Sequence, residues 1–171
     1  MAWKQLKQPN LSTKGTIGFC LKYARNVFNI PAKYPTAWKA WQNGKQHKTK
    51  DYPKNVSIPL WFDWKTDGHV VIAVPNKGLY SSPMNSSESK HIFKSISEVE
   101  SFLGAKYVGW TEDINDVKVV EKVESDMYKN HTAKYWYERA QELRKQRNTL
   151  STKLSNIKDT LFNGIKKVFG R

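Results

Sequence analysis

The sequence predicts a mixed α and β body over residues 1–125, followed by a basic amphipathic helical segment over residues 126–171. Three observations predict it. A β-branched run at residues 70–74 (VVIAV) stands among other short strand patterns, apolar residues after Gly18 recur at helical spacing, and from Met127 onward the chain is charged and periodic, with no glycine until Gly164. A chain of 171 residues suits one compact domain plus an appendage, and 7 Trp, 8 Tyr and 7 Phe supply a packed core.

Gly15 and Gly18 precede residues 19–28, where Cys20, Leu21, Ala24, Val27 and Phe28 mark one helical face. The pattern predicts a helix that begins near Cys20 and stops before Pro31, because proline removes a donor and clashes with the preceding turn. Residues 34–42 (YPTAWKAWQ) predict a second short helix with Thr36 as its cap. The polar, basic stretch at 43–54 reads as an exposed loop.

Residues 58–64 (IPLWFDW) and 70–74 read as strands, and a turn at 75–78 joins the second to Leu79 and Tyr80 as a hairpin. Ser95 and Glu98 form a capping-box pattern that opens a helix to Leu103, with Gly104 closing it. Residues 106–110 (KYVGW) read as a further strand. In the last segment Trp136, Ala140, Leu143, Leu150, Leu154, Ile157, Leu161 and Val168 fall at intervals of three and four for most of the length. That is a heptad seam, interrupted by Arg147, with a break expected near Asn163 and Gly164.

The formal net charge of +14 draws the chain to polyanions, a class that includes nucleic acid, anionic membrane and phosphate-rich wall polymer. From residue 129 to 171 there are eleven Lys and Arg against three acids, a net of +8, so more than half of the excess lies in the last quarter. One cysteine excludes an intramolecular disulfide. The polar, basic start carries no signal-peptide pattern, and no stretch approaches the roughly 20 apolar residues of a membrane span. The expectation is a chain made as a soluble protein in the cytoplasm.

Two residues stand out as candidates for chemistry. A cysteine at a helix start meets unpaired N–H groups and the positive end of the helix dipole, which favour a thiolate, and the N–H of Cys20 is itself a candidate oxyanion donor. The alternative reading of Cys20 is a small buried apolar residue. His69 follows Asp67 and Gly68 and leads into the 70–74 strand, a placement from which an imidazole can accept a thiol proton and return it to a leaving amine. Its alternative is a surface turn histidine. His47, His91 and His131 lie in polar surroundings and read as solvated. One cysteine and four dispersed histidines provide no zinc spacing, and no phosphate-binding glycine loop is present, so neither a metal nor a cofactor is expected.

Five segments together resemble the phage-encoded lysins of the CHAP and NlpC-type cysteine peptidase group. They are GFCLKY at 18–23, YPTAW at 34–38, IPLWFDW at 58–64, DGHVVI at 67–72 and YVGWTEDIN at 107–115, and the resemblance covers about residues 14–117. It implies an α+β, papain-like fold with the cysteine helix on an antiparallel sheet, and cleavage of an amide bond in bacterial peptidoglycan. It further implies Cys20 as nucleophile, His69 as general base, and a third polar residue on the strand after the histidine. That region reads Leu79-Tyr80-Ser81-Ser82-Pro83, in which Ser82 is the nearest match and Asn85, Asp63 and Asp113 are spatial alternatives.

Trp61, Trp64 and Trp110 are candidates for lining a glycan or peptide groove, or else for the core. A lysin of this kind acts free or as a virion-associated enzyme, in the virion or at the host wall. The basic segment reads as an attachment to other virion proteins, to a copy of itself, to a membrane, or to an anionic polymer such as wall polymer or DNA; the alternative is a helix that folds back on the catalytic domain and exposes a lysine-rich surface. The alternative function is an inactive virion protein that keeps the lysin fold and binds DNA or phage proteins through that segment.

Overall fold

In the computed structural model, residues 2–123 and 133–170 are described. The chain divides into two units, Met1–Glu124 and Ser125–Arg171. The first unit is a mixed α+β body. Its strands are β1 (Ala2–Gln5), β2 (Gln46–His47), β3 (Ile58–Asp63), β4 (His69–Val74), β5 (Gly78–Ser81), β6 (His91–Phe93), β7 (Lys106–Thr111), β8 (Asp113–Ile114), β9 (Val117–Lys118) and β10 (Val120–Val123). Its helices are α1 (Cys20–Val27), α2 (Ala37–Asn43) and α3 (Ile96–Leu103). The second unit carries α4 (Ala133–Phe169).

Six strands form one antiparallel sheet in the order β2-β7-β3-β4-β5-β6. β4 lies inside it and is buried at all six positions, which is why its sequence reads as a continuous apolar run and not an alternating one. β3 enters with Ile58 opposite Ala73 and Phe62 opposite His69. β5 returns beside β4 with Ile72 opposite Tyr80.

α1 packs on β4 and β5 through Leu21, Tyr23, Ala24 and Val27, so the helix that begins at Cys20 lies across the strand that begins at His69. α2 starts where Thr36 Oγ1 accepts the Lys39 N–H at 3.2 Å. At α3, Ser95 Oγ accepts the Glu98 N–H at 3.1 Å, and Gly104 ends the helix at φ 62°. The Glu98 carboxylate accepts the N–H of Lys94 and not that of Ser95, so half of the expected capping box is made one residue earlier.

Several short elements depart from the sequence reading. The 43–54 stretch holds β2, which pairs with β7, and β1, β6, β8, β9 and β10 come from segments with no strong strand pattern. α4 continues through Asn163 and Gly164 without the expected break. The expected start of that helix near Met127 lies outside the described residues, as does His131. Among the described residues no helix is long and apolar enough to cross a membrane.

Candidate functional site

Cys20 is placed by a backbone turn that only a left-handed residue completes. Gly18 sits at φ 78°, a conformation that costs glycine little because it has no Cβ. Phe19 then donates its N–H to Thr16 O at 3.1 Å and accepts the Tyr23 N–H at 2.9 Å, which starts α1. Phe19 makes no side-chain cap, so the first N–H groups of the helix are left for other acceptors. Two of them, on Cys20 and Leu21, together with the N–H of Val70 on β4, pull the Cys20 thiol down electrostatically. The thiol is thus influenced both by the helix start and by the residue next to His69.

His69 is placed by a second tight turn. Gly68 donates its N–H to Trp64 O at 2.9 Å, and Trp38 at the start of α2 donates to Asp67 O at 2.7 Å. Gly68 has φ 68°, and a Cβ there would stand 3.0 Å from the Trp38 nitrogen, so both conformation and space require glycine. The imidazole that follows is buried, with only 3% of its surface exposed. Its Nε2 lies 3.0 Å from Ser81 Oγ on β5, and the Trp64 indole stands edge-on to the ring at 5.7 Å.

Cys20, His69, Trp64, Asp67 and Ser82 line one pocket of about 890 Å³, with Phe102 among its apolar walls. Phe19 and Ile17, about half exposed, border it on the α1 side. Lys22, Arg25 and Lys65 also line it, against the carboxylate of Asp67, which gives the pocket a cationic balance. Lys65 lies over the Trp64 ring with Nζ 4.3 Å from the centroid, an attraction between a cation and the ring's negative face.

The electrostatics correct one expectation. Burial pushes the Cys20 thiol above its ordinary value, against the pull of the N–H groups of Val70, Leu21 and Cys20, and the Asp67 carboxylate pushes the same way. Desolvation outweighs the helix start here, because a sulfur withdrawn from water pays the full cost of charge while the N–H groups return only part of it. Burial pushes His69 down to about 4. Near neutral pH the pair is a thiol and a neutral imidazole, not an ion pair.

The chain matches no family model, no curated protein and no solved structure.

Of the residues singled out in sequence, Cys20, His69, Ser82 and Trp64 meet in the pocket. Trp61 does not. It is buried in the core with Nε1 donating to Thr111 Oγ1 at 2.9 Å. Trp110 is also outside the pocket, stacked on His47 at 3.9 Å between centroids and donating its Nε1–H to Asp51 O.

Ser82 lies just past β5, and the hydroxyl on the His69 ring belongs to its neighbour Ser81. Asp113 accepts the Lys45 N–H at 2.9 Å, Asn85 Oδ1 accepts from Ser87, and Asp63 ends β3 in an exposed position. His47 and His91 are half-buried, and each is partnered by a carboxylate. His47 Nε2 sits 3.0 Å from the buried Glu112, and His91 Nδ1 sits 3.0 Å from Glu88.

Sequence reasoning missed Ser81 and Asp67, together with the cations of the pocket. The signal for Ser81 was available only through strand register. Continuing the pairing of Ile72 with Tyr80 by one step sets Ser81 opposite Val71, which shares a face with His69. Among the described residues no group of three or more His, Cys, Asp or Glu is arranged to hold a metal ion.

Proposed function

We propose that the chain is a phage peptidoglycan hydrolase with a papain-like fold, cleaving an amide bond of the cell-wall peptide by a Cys/His mechanism. The observation that carries this reading is the meeting of Cys20, at a helix start, and His69, at the start of the strand beneath it, in one large open pocket.

The Cys20 sulfur attacks the substrate carbonyl carbon as its proton passes to the imidazole. Starting from a neutral pair, the base has to act during attack rather than before it. The backbone N–H of Cys20, at the head of α1, serves as the oxyanion donor to the carbonyl oxygen as it gains negative charge. The imidazolium then gives its proton to the departing amine, the C–N bond breaks and a thioester remains. Water, deprotonated by the same ring, hydrolyses the thioester and restores the thiol.

With Nε2 engaged by Ser81, Nδ1 is left as the nitrogen that exchanges the proton. Ser81 acts as a positioning residue, fixing the ring plane between β4 and β5. The pocket's cations suit a peptide that carries free carboxylates, and its apolar walls suit the aliphatic parts of the same peptide. Mass analysis of wall fragments after digestion tests the proposal and identifies the bond. New amine termini at one peptide or lactyl-amide position support it, and unchanged fragments overturn it.

A second reading is favoured by one observation. Both reactive groups are held neutral, and the residue that orients the histidine is a serine and not a carboxylate. A virion structural protein that keeps the fold without the activity fits those features, with the basic C-terminal segment binding DNA or other phage proteins. Salt-dependent DNA binding together with an unreactive Cys20 thiol supports this second reading.

A further inference from the structure

The apolar face of α4 has a period and a charge pattern that together specify what covers it. Within the described side chains, Ala140, Leu143, Arg147, Leu150, Leu154, Ile157 and Leu161 follow one another at alternating steps of three and four, the a and d positions of successive heptads. Leu143, Leu150, Leu154, Ile157 and Leu161 are each more than half exposed.

A repeat of 3.5 on a helix of 3.6 residues per turn makes the stripe drift by ~20° per heptad, roughly 60° over this span. A partner helix follows such a drift by supercoiling, whereas a flat lipid surface does not.

The positions that flank the seam carry charge of one sign. Arg144 and Lys158 stand at e, Arg139 and Lys153 at g, and no acid occupies e or g between residues 137 and 160. The acids Glu138 and Glu142 fall at f and c, away from the seam. A parallel pairing of two copies sets Arg139 against Arg144 and Lys153 against Lys158, and an antiparallel pairing also sets cation against cation. Self-assembly through this face is therefore repelled.

We propose that α4 is one strand of a heterotypic coiled coil whose partner is a helix of another protein with Glu or Asp at its own e and g positions. Arg147, at an a position, sets the register by meeting a carboxylate of the partner inside the seam.

The test uses the full chain and two labelled synthetic helical peptides of matching length, identical at a and d, one with Glu and the other with Lys at e and g. Binding is measured by fluorescence anisotropy at about 150 mM salt, and sedimentation and vesicle flotation run alongside. The proposal expects the chain alone to sediment as a monomer. It expects the Glu peptide to bind at least about tenfold tighter than the Lys peptide, and Leu150→Asp to abolish that binding. The fourfold change Arg139→Glu, Arg144→Glu, Lys153→Glu and Lys158→Glu should reverse the preference, a gain that a merely misfolded variant cannot produce.

Self-association of the chain without peptide overturns the proposal. So does equal binding or no binding of the two peptides, and so does capture by phosphatidylglycerol vesicles with no binding of the Glu peptide. None of these outcomes bears on Cys20, so the coiled coil and the hydrolase stand or fall separately.

Discussion

His69 Nε2 and Ser81 Oγ lie 3.0 Å apart, joining the first residue of β4 to the last of β5. This bond ties the imidazole to the neighbouring strand. With Nδ1 free to take a proton, Nε2–H donates to the Ser81 hydroxyl, a weaker orienting acceptor than a carboxylate and one that carries no charge to stabilise an imidazolium.

Removing that hydroxyl is expected to affect turnover more than binding. Ser81→Ala should lower kcat about tenfold, or ~1.4 kcal/mol of barrier, with KM little changed. Ser81→Thr, which restores the hydroxyl, should recover most of the loss. Equal losses for Ser81→Ala and Ser82→Ala would contradict the assignment of the ring contact to Ser81.

The pH dependence of stability follows from the same burial. His69 has a folded value of about 4 against an ordinary 6.5, so the unfolded chain binds the proton more readily. The neutral ring's contribution is complete above pH 6.5 and is lost as pH falls through that value towards 4. The full difference is worth about 3 kcal/mol. Urea midpoints of the wild type should rise from pH 4 to pH 6.5, and His69→Gln should flatten that part of the curve. A parallel rise in both proteins would show that other groups set the slope.

Gly68 holds its place for conformation and for space. Gly68→Ala has to accommodate both φ 68° and a Cβ 3.0 Å from the Trp38 nitrogen, and the turn that aims His69 must shift. The expected cost is ~1–3 kcal/mol of stability, with activity falling further than stability alone explains. Thermal melts and wall-clearing rates of the same preparation separate the two effects.

The tryptophans divide by location. Trp61→Phe loses the bond to Thr111 and should cost ~1 kcal/mol or more of stability, with little specific effect on substrate. Trp64→Ala should raise KM while the denaturant midpoint moves less than for the core change, because Trp64 lines the pocket. A reversal of these two patterns would move the groove to the other side of the sheet.

What was legible in the sequence was set by local chemistry. The helix at Cys20, the cap at Thr36, the turn before His69 and the buried run of β4 each depend on residues a few positions apart, and each has a specific signature. The short strands β2, β6 and β8–β10 were not legible, because pairing with distant segments decides them and their own sequences are mixed. Ser81 was missed for Ser82 because the choice between adjacent serines depends on hairpin register, which reverses the face with every single-residue step. The direction of the Cys20 shift was missed for a related reason, since a helix start is visible in sequence and the depth of burial around it is not.

The most direct test of the central claim compares wild type with Cys20→Ala on a suspension of Gram-positive cell wall, with release of free amine followed over time. Steady release by the wild type, abolished in Cys20→Ala while the variant's melting curve is unchanged, is the predicted result. Equal release by the two proteins, or release by neither, would contradict it.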